Sequence, residues 1–89
     1  MAVRRRVVAH GRVQGVFFRD SAERMARSAG VSGWVRNRND GAVEAVFEGE
    51  PDAVDRMMAW LRQGPRRADV ERVEVLEEDP VGETRFHVR

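Results

Sequence analysis

The segment Gly11-Arg12-Val13-Gln14-Gly15-Val16-Phe17-Phe18-Arg19 holds the residues best suited to chemistry in this chain. Its two glycines permit sharp turns and let an oxyanion come close to the main chain. A short loop of this kind can curl until successive backbone N–H groups converge on one point. Closed by a helix N-terminus, such a concavity binds anions. Arg19 adds a permanently charged, planar fork suited to phosphate oxygens. The segment reads as a phosphate cradle.

Around that cradle the usual hydrolytic machinery is missing. There is no cysteine, and Ser21, Ser28 and Ser32 lack a recognisable histidine and acid partner set. His10 and His87 are isolated, and no spacing suggests a metal-binding pair. His10 reads as an ordinary strand histidine, with proton transfer beside the loop as the alternative. Asn37 stands at the end of a strand before a turn. Its residue type fits a turn former, and its other reading is a donor–acceptor that fixes a water. Gln14 is free to bond the loop backbone or to face solvent. Trp34 reads as sheet packing and Arg36 as a surface strand residue. A phosphate site without a nucleophile, a metal or a strong base suits substrates with an easily displaced leaving group. Acyl phosphates are of that kind, because a carboxylate leaves without protonation. The protein then has to hold the phosphoryl group, stabilise its equatorial oxygens and aim a water.

The elements that must position these residues are legible in the hydrophobic pattern. Val3, Val7 and Val8 mark a strand over residues 3–10, and Asp20-Ser21-Ala22-Glu23 looks like a helix opening on a capping box. Ala22, Met25, Ala26 and Ala29 form one apolar helix face, which Gly30 ends. A strand around Trp34-Val35-Arg36-Asn37 leads through the turn Asn39-Asp40-Gly41 into Ala42–Glu48. There Val43, Ala45 and Phe47 alternate with outward-facing Glu44 and Glu48, so residues 32–48 read as a hairpin. Glu50-Pro51-Asp52 opens a second helix. Its stripe is Val54, Met57, Met58 and Leu61, the methionines fill the core, and Gly64-Pro65 stops it. Val70, Val73 and Val75 mark a fourth strand. The polar stretch Glu77–Gly82 connects it to a short closing strand, Phe86-His87-Val88, with His87 facing solvent. The order β-α-β-β-α-β predicts an α+β fold. It is a ferredoxin-like two-layer sandwich, with an antiparallel sheet and two helices on one face.

Eighty-nine residues without a composition break, repeat or low-complexity linker make one domain, residues 1–89. The net charge of +1, with acids scattered among the bases, argues against a polyanion binder. Every basic residue is an arginine, and lysine, isoleucine and tyrosine are absent, which reads as a coding bias. Position rather than identity therefore makes an arginine informative. The runs Arg4–Arg6 and Arg66–Arg67 read as solvated surface. Absent cysteine fits a reducing cytoplasm. Only Val7, Val8 and Ala9 follow the basic start before His10, too few for a signal-peptide core, and no stretch approaches membrane-spanning length.

Gly11–Arg19 resembles the acylphosphatase signature, and so does Gly33-Trp34-Val35-Arg36-Asn37-Arg38-Asn39-Asp40-Gly41-Ala42-Val43. Their spacing, the intervening helix and the closing Phe86-His87-Val88-Arg89 are similar too, so the resemblance covers essentially the whole chain. It implies the fold read above and hydrolysis of acyl phosphates without a cofactor or metal. It implies that Arg19 binds phosphate together with the N–H groups of Gln14, Gly15, Val16, Phe17 and Phe18. Asn37 would orient the attacking water, and the bound phosphate itself would help to deprotonate it. Phe17 fills a position that varies in the family, and no motif residue departs from the pattern. The expected partner is a small-molecule acyl phosphate, with no nucleic acid and no membrane, and the chain is expected to be a cytoplasmic monomer. The residues alone support only an anion-binding ferredoxin-like domain, which leaves two alternatives. One is a nucleic-acid module, since Gly15-Val16-Phe17-Phe18 is faintly similar to an RNA-binding motif. That stretch falls in a loop, however, and the sheet lacks aromatic stacking positions. The other is a carbamoyl-phosphate-handling domain, like those at the head of larger carbamoyl-transfer proteins. The initial methionine and an end soon after the last strand fit a free-standing protein better.

Overall fold

In the computed structural model, which describes residues 1–89, the valine-rich opening forms β1 (Val3–Arg12) and the glycine loop leads into α1 (Phe18–Ala29). The hairpin strands are β2 (Ser32–Asn37) and β3 (Val43–Gly49). They are followed by α2 (Pro51–Gln63), β4 (Asp69–Glu78) and β5 (Phe86–Val88). The strands form one sheet in the order β4-β1-β3-β2-β5. Alternation sends Val7 and Ala9 of β1, Val35 of β2 and Val43, Ala45 and Phe47 of β3 to one face. There they meet Ala22 and Ala26 of α1 and Val54, Met57 and Leu61 of α2. Small alanines let α1 lie close to the sheet, and Phe86 stacks on Phe47 with ring centroids 5.9 Å apart. No helix is long and apolar enough to cross a membrane.

The ferredoxin-like order is as expected, but the sheet is mixed rather than antiparallel. β5 pairs with β2 in parallel, Trp34 facing His87, while every other neighbouring pair is antiparallel. The cause is the route of residues 79–85. The chain leaves β4 at the end of the sheet where β2 begins, crosses beneath β1 and β3, and enters beside β2 in the same direction. Glu48, at that end of β3, accepts N–H donors from Val81, Gly82 and Glu83 at 3.0, 2.8 and 3.0 Å, which fixes the crossing.

Four local readings also change. Helix α1 begins at Phe18, ahead of the Asp20 capping pattern, because Phe18 is buried and its ring packs on Trp60 with centroids 5.4 Å apart. Met25 falls off the buried stripe and is 41% exposed, since Phe18, Ala22 and Ala26 already face the sheet at four-residue spacing. Arg4 and Arg6 form a charged layer with Glu44 and Glu48 on the sheet face away from the helices, while Arg5 alternates to the other face and pairs with the exposed Glu77. Arg4, Glu44 and Glu48 are buried in that layer rather than solvated. His87 is half-buried, with Nδ1 enclosed and unpartnered, because it lies beside Trp34 on that same face.

Candidate active site

The site is made at the end of the sheet where β1 and β2 finish. A bulge between His10 and Gly11 shifts the pairing of β1 with β4. Gly11 has φ 122°, and a Cβ there would stand 2.3 Å from the carbonyl oxygen of Asp69, so no other residue fits without moving β4. Val13 and Val16 are buried and pin the loop that follows to the core. Between and after them, Gly15 at φ 73° and Phe17 at φ 62°, ψ 28° turn the backbone into the left-handed region. Alternating handedness of this kind points neighbouring N–H groups into one concavity.

Those N–H groups have no internal partner. Gln14 to Phe17 donate no backbone hydrogen bond within the protein. The first bond of the turn runs from Ser21 N–H to Phe17 O at 3.1 Å, and no side chain caps the helix. A cleft of about 310 Å³ opens here, walled by Gly15, Phe17, Phe18, Arg19 and Asn37, with Val13 and Asp20 beside them. Arg19 is half-buried and pairs with no carboxylate. A positive side chain, the donor end of a helix and an amide side chain thus share one cavity that contains no compensating pair. That arrangement is chemically suited to an anion.

The residues singled out from the sequence divide into two groups. Gly15, Phe17, Phe18, Arg19 and Asn37 line the cleft, whereas Gln14 and Val16 are not among its lining residues. Val16 is a core residue. Gln14 neither bonds its own loop nor faces solvent. Its Nε2 donates to Arg38 O at 2.8 Å and to Ala42 O at 3.0 Å, which ties the cradle to the β2–β3 turn just beyond Asn37. Asp40 closes that turn by accepting the Ala42 N–H at 3.1 Å. That bond, with the Arg38 charge, holds the Asp40 carboxyl below its usual range. Of the cleft residues, sequence reasoning left out Val13 and Asp20, the latter read as a helix cap. The signal for Asp20 was adjacency to Arg19 in the first turn. His10 lies outside the cleft, where its Nε2 contacts Glu74 Oε2. No group of three or more His, Asp or Glu side chains is placed to hold a metal ion.

Comparison with known proteins agrees with this geometry. The family model described as Acylphosphatase matches residues 5–88. The chain belongs to the acylphosphatase family. A family member from Rubrobacter xylanophilus, named Acylphosphatase, is 60% identical over 85 residues, covering 94% of this chain and 77% of that one. The solved acylphosphatase from Coxiella burnetii superposes with a TM-score of 0.94 at 38% identity, covering 99% of this chain and 93% of that chain. The Bacillus subtilis acylphosphatase does so with a TM-score of 0.94 at 33% identity, over 100% and 99% of the two chains. The mixed five-stranded sheet with two helices is therefore the acylphosphatase fold.

Proposed function

We propose that the Arg19 cleft hydrolyses acyl phosphates to a carboxylate and inorganic phosphate. Membership of the acylphosphatase family supports the reaction class. The observation that carries the site is an unpaired Arg19 sharing one cleft with Asn37 and the free N–H end of α1. The N–H groups of Gln14, Gly15, Val16, Phe17 and Phe18 and the Arg19 fork hold the phosphoryl oxygens. They concentrate positive potential where charge spreads in the transition state. Asn37 holds a water by its carboxamide. The water oxygen attacks phosphorus in line, and the phosphorus–oxygen bond to the acyl group breaks. Its electron pair leaves on the carboxylate, and the proton lost by the water passes to a phosphoryl oxygen, so no protein base is needed. Residues 1–89 act as one domain without metal or cofactor, as a cytoplasmic monomer with no nucleic-acid partner; the near-neutral charge of +1 supports the last point.

The test is phosphate release from benzoyl phosphate in the presence of a chelator, with Arg19→Ala as control. Turnover that survives chelation and vanishes in the folded variant is the expected result. A folded wild-type protein that binds phosphate but releases none from benzoyl phosphate would overturn the reaction and leave the cradle as a binding site.

A further inference from the structure

Phe17 is shared by two cavities. Beside the catalytic cleft lies a groove of about 330 Å³ to which Phe17, Val16 and Pro65 give apolar walls and Arg24, Arg66 and Arg67 give charge. No acidic side chain lines it. None of the three guanidinium groups pairs with a carboxylate, and Arg24 reaches only Ser21 Oγ, at 3.5 Å. On the other side of the sheet, by contrast, Arg4, Arg6 and Arg36 are each neutralised by glutamates. Phe17 itself is 64% exposed and takes no part in the core. A left-handed backbone holds its ring at the rim, a conformation that persists only where surrounding structure enforces it.

We propose that this groove receives the acyl part of the substrate and selects acyl phosphates that carry a second anionic group. The inference rests on the acyl-phosphate reading of the cleft. In-line displacement puts the leaving carboxylate on the side of phosphorus away from the attacking water. Asn37, which holds that water, lines the cleft and not the groove, whereas Phe17 lines both. An acyl chain departing away from Asn37 passes the Phe17 ring and ends among the three arginines. The ring covers the apolar part of the chain, and the guanidinium forks accept a carboxylate or phosphate at its end. Because the arginines are exposed, the selectivity is modest and screened by salt.

Benzoyl phosphate and 4-carboxybenzoyl phosphate differ by one remote carboxylate and have leaving groups of closely similar basicity. Their ratio of kcat/KM, measured for the wild-type chain and for the combined variant Arg24→Gln, Arg66→Gln, Arg67→Gln, isolates the groove from the chemistry. The wild-type chain is expected to favour the carboxylated substrate by roughly three- to tenfold at low ionic strength. That preference should shrink in high salt and disappear in the variant. Equal kcat/KM for the two substrates in the wild-type chain overturns the inference while leaving the reaction assignment intact, and so does a preference that survives in the variant. Hydrolysis of neither substrate overturns the assignment of the reaction and this inference with it.

Discussion

Arg19 matters because nothing in the protein neutralises it. An arginine already paired with a glutamate must give up that pair to bind a ligand, whereas in the proposed mechanism the unpaired Arg19 meets a phosphoryl group without that cost. Arg19→Ala is expected to lower turnover by on the order of a thousandfold, since charge stabilisation of the transition state is lost. Asn37→Ala should behave differently. In the proposed mechanism it removes the group that aims the water and leaves the cradle intact, so kcat should collapse while inorganic phosphate still inhibits at near wild-type concentration. An equal loss of phosphate inhibition would make Asn37 a binding residue instead. Measuring kcat and the phosphate inhibition constant on both variants separates these roles.

At the scale of elements, the departure of α1 from the expected capping box is informative. A helix start with a side-chain cap would use its own N–H groups up. Here burial of Phe18 against Trp60 begins the helix two residues before Asp20, and the donors are left for a ligand. In the proposed mechanism the loop and β2 must also keep a fixed relation, because one is to hold the phosphoryl group and the other carries Asn37. Gln14 provides the tie through its two bonds to Arg38 O and Ala42 O. Gln14→Met keeps the length of the side chain and removes both donors. It should reduce kcat by about tenfold, the scale expected when reacting groups are misplaced rather than deleted, with phosphate inhibition little changed. A variant that melts earlier but retains wild-type kcat would show that the tie is structural only.

For the whole molecule, the charged face of the sheet sets the response to acid. Burial pushes the carboxyls of Glu44 and Glu48 upward, but their partners outweigh it. Arg6 and Arg36 bind Glu44, while Arg4 and the N–H groups of Val81, Gly82 and Glu83 bind Glu48, so both are held below the usual glutamate value of 4.5. The unfolded chain therefore takes up protons before the folded one does. The stability contributed by these pairs is complete above that value and is lost as pH falls through the lowered folded-state values. The urea midpoint should be level near neutrality and drop below about pH 5. Glu48→Gln should lower stability at pH 7 by about 1–2 kcal/mol, because Arg4 loses one charged partner while keeping Glu78 and Glu83. It should also flatten the acid limb. A midpoint that stays constant from neutrality down into strong acid would show that this layer contributes nothing.

Much of this was legible in the chain itself, because glycine spacing, strand alternation and helical stripes are local signals. The cradle segment, both helices, the hairpin and the order of elements follow from them, and two motifs in register carried the family. Local signals also limited the reading. Glu44 and Glu48 alternate with the core residues and so looked solvated. Only the packing of β1 against β3 and β4 puts Arg4 and Arg6 over them. The parallel pairing of β5 depended on where a polar connection crosses the sheet. The direction of the Gln14 side chain depended on a turn 24 residues away. Asn37 reads as a turn residue by type, and it shares a cleft with Arg19 only because β1 and β2 end on the same side of the sheet. The sequence by itself determined which segments form strands, helices and an anion-binding loop, since those depend on backbone preference and periodicity. The tertiary structure alone decided which charges are neutralised and which stay free, because that depends on neighbours brought together from distant parts of the chain.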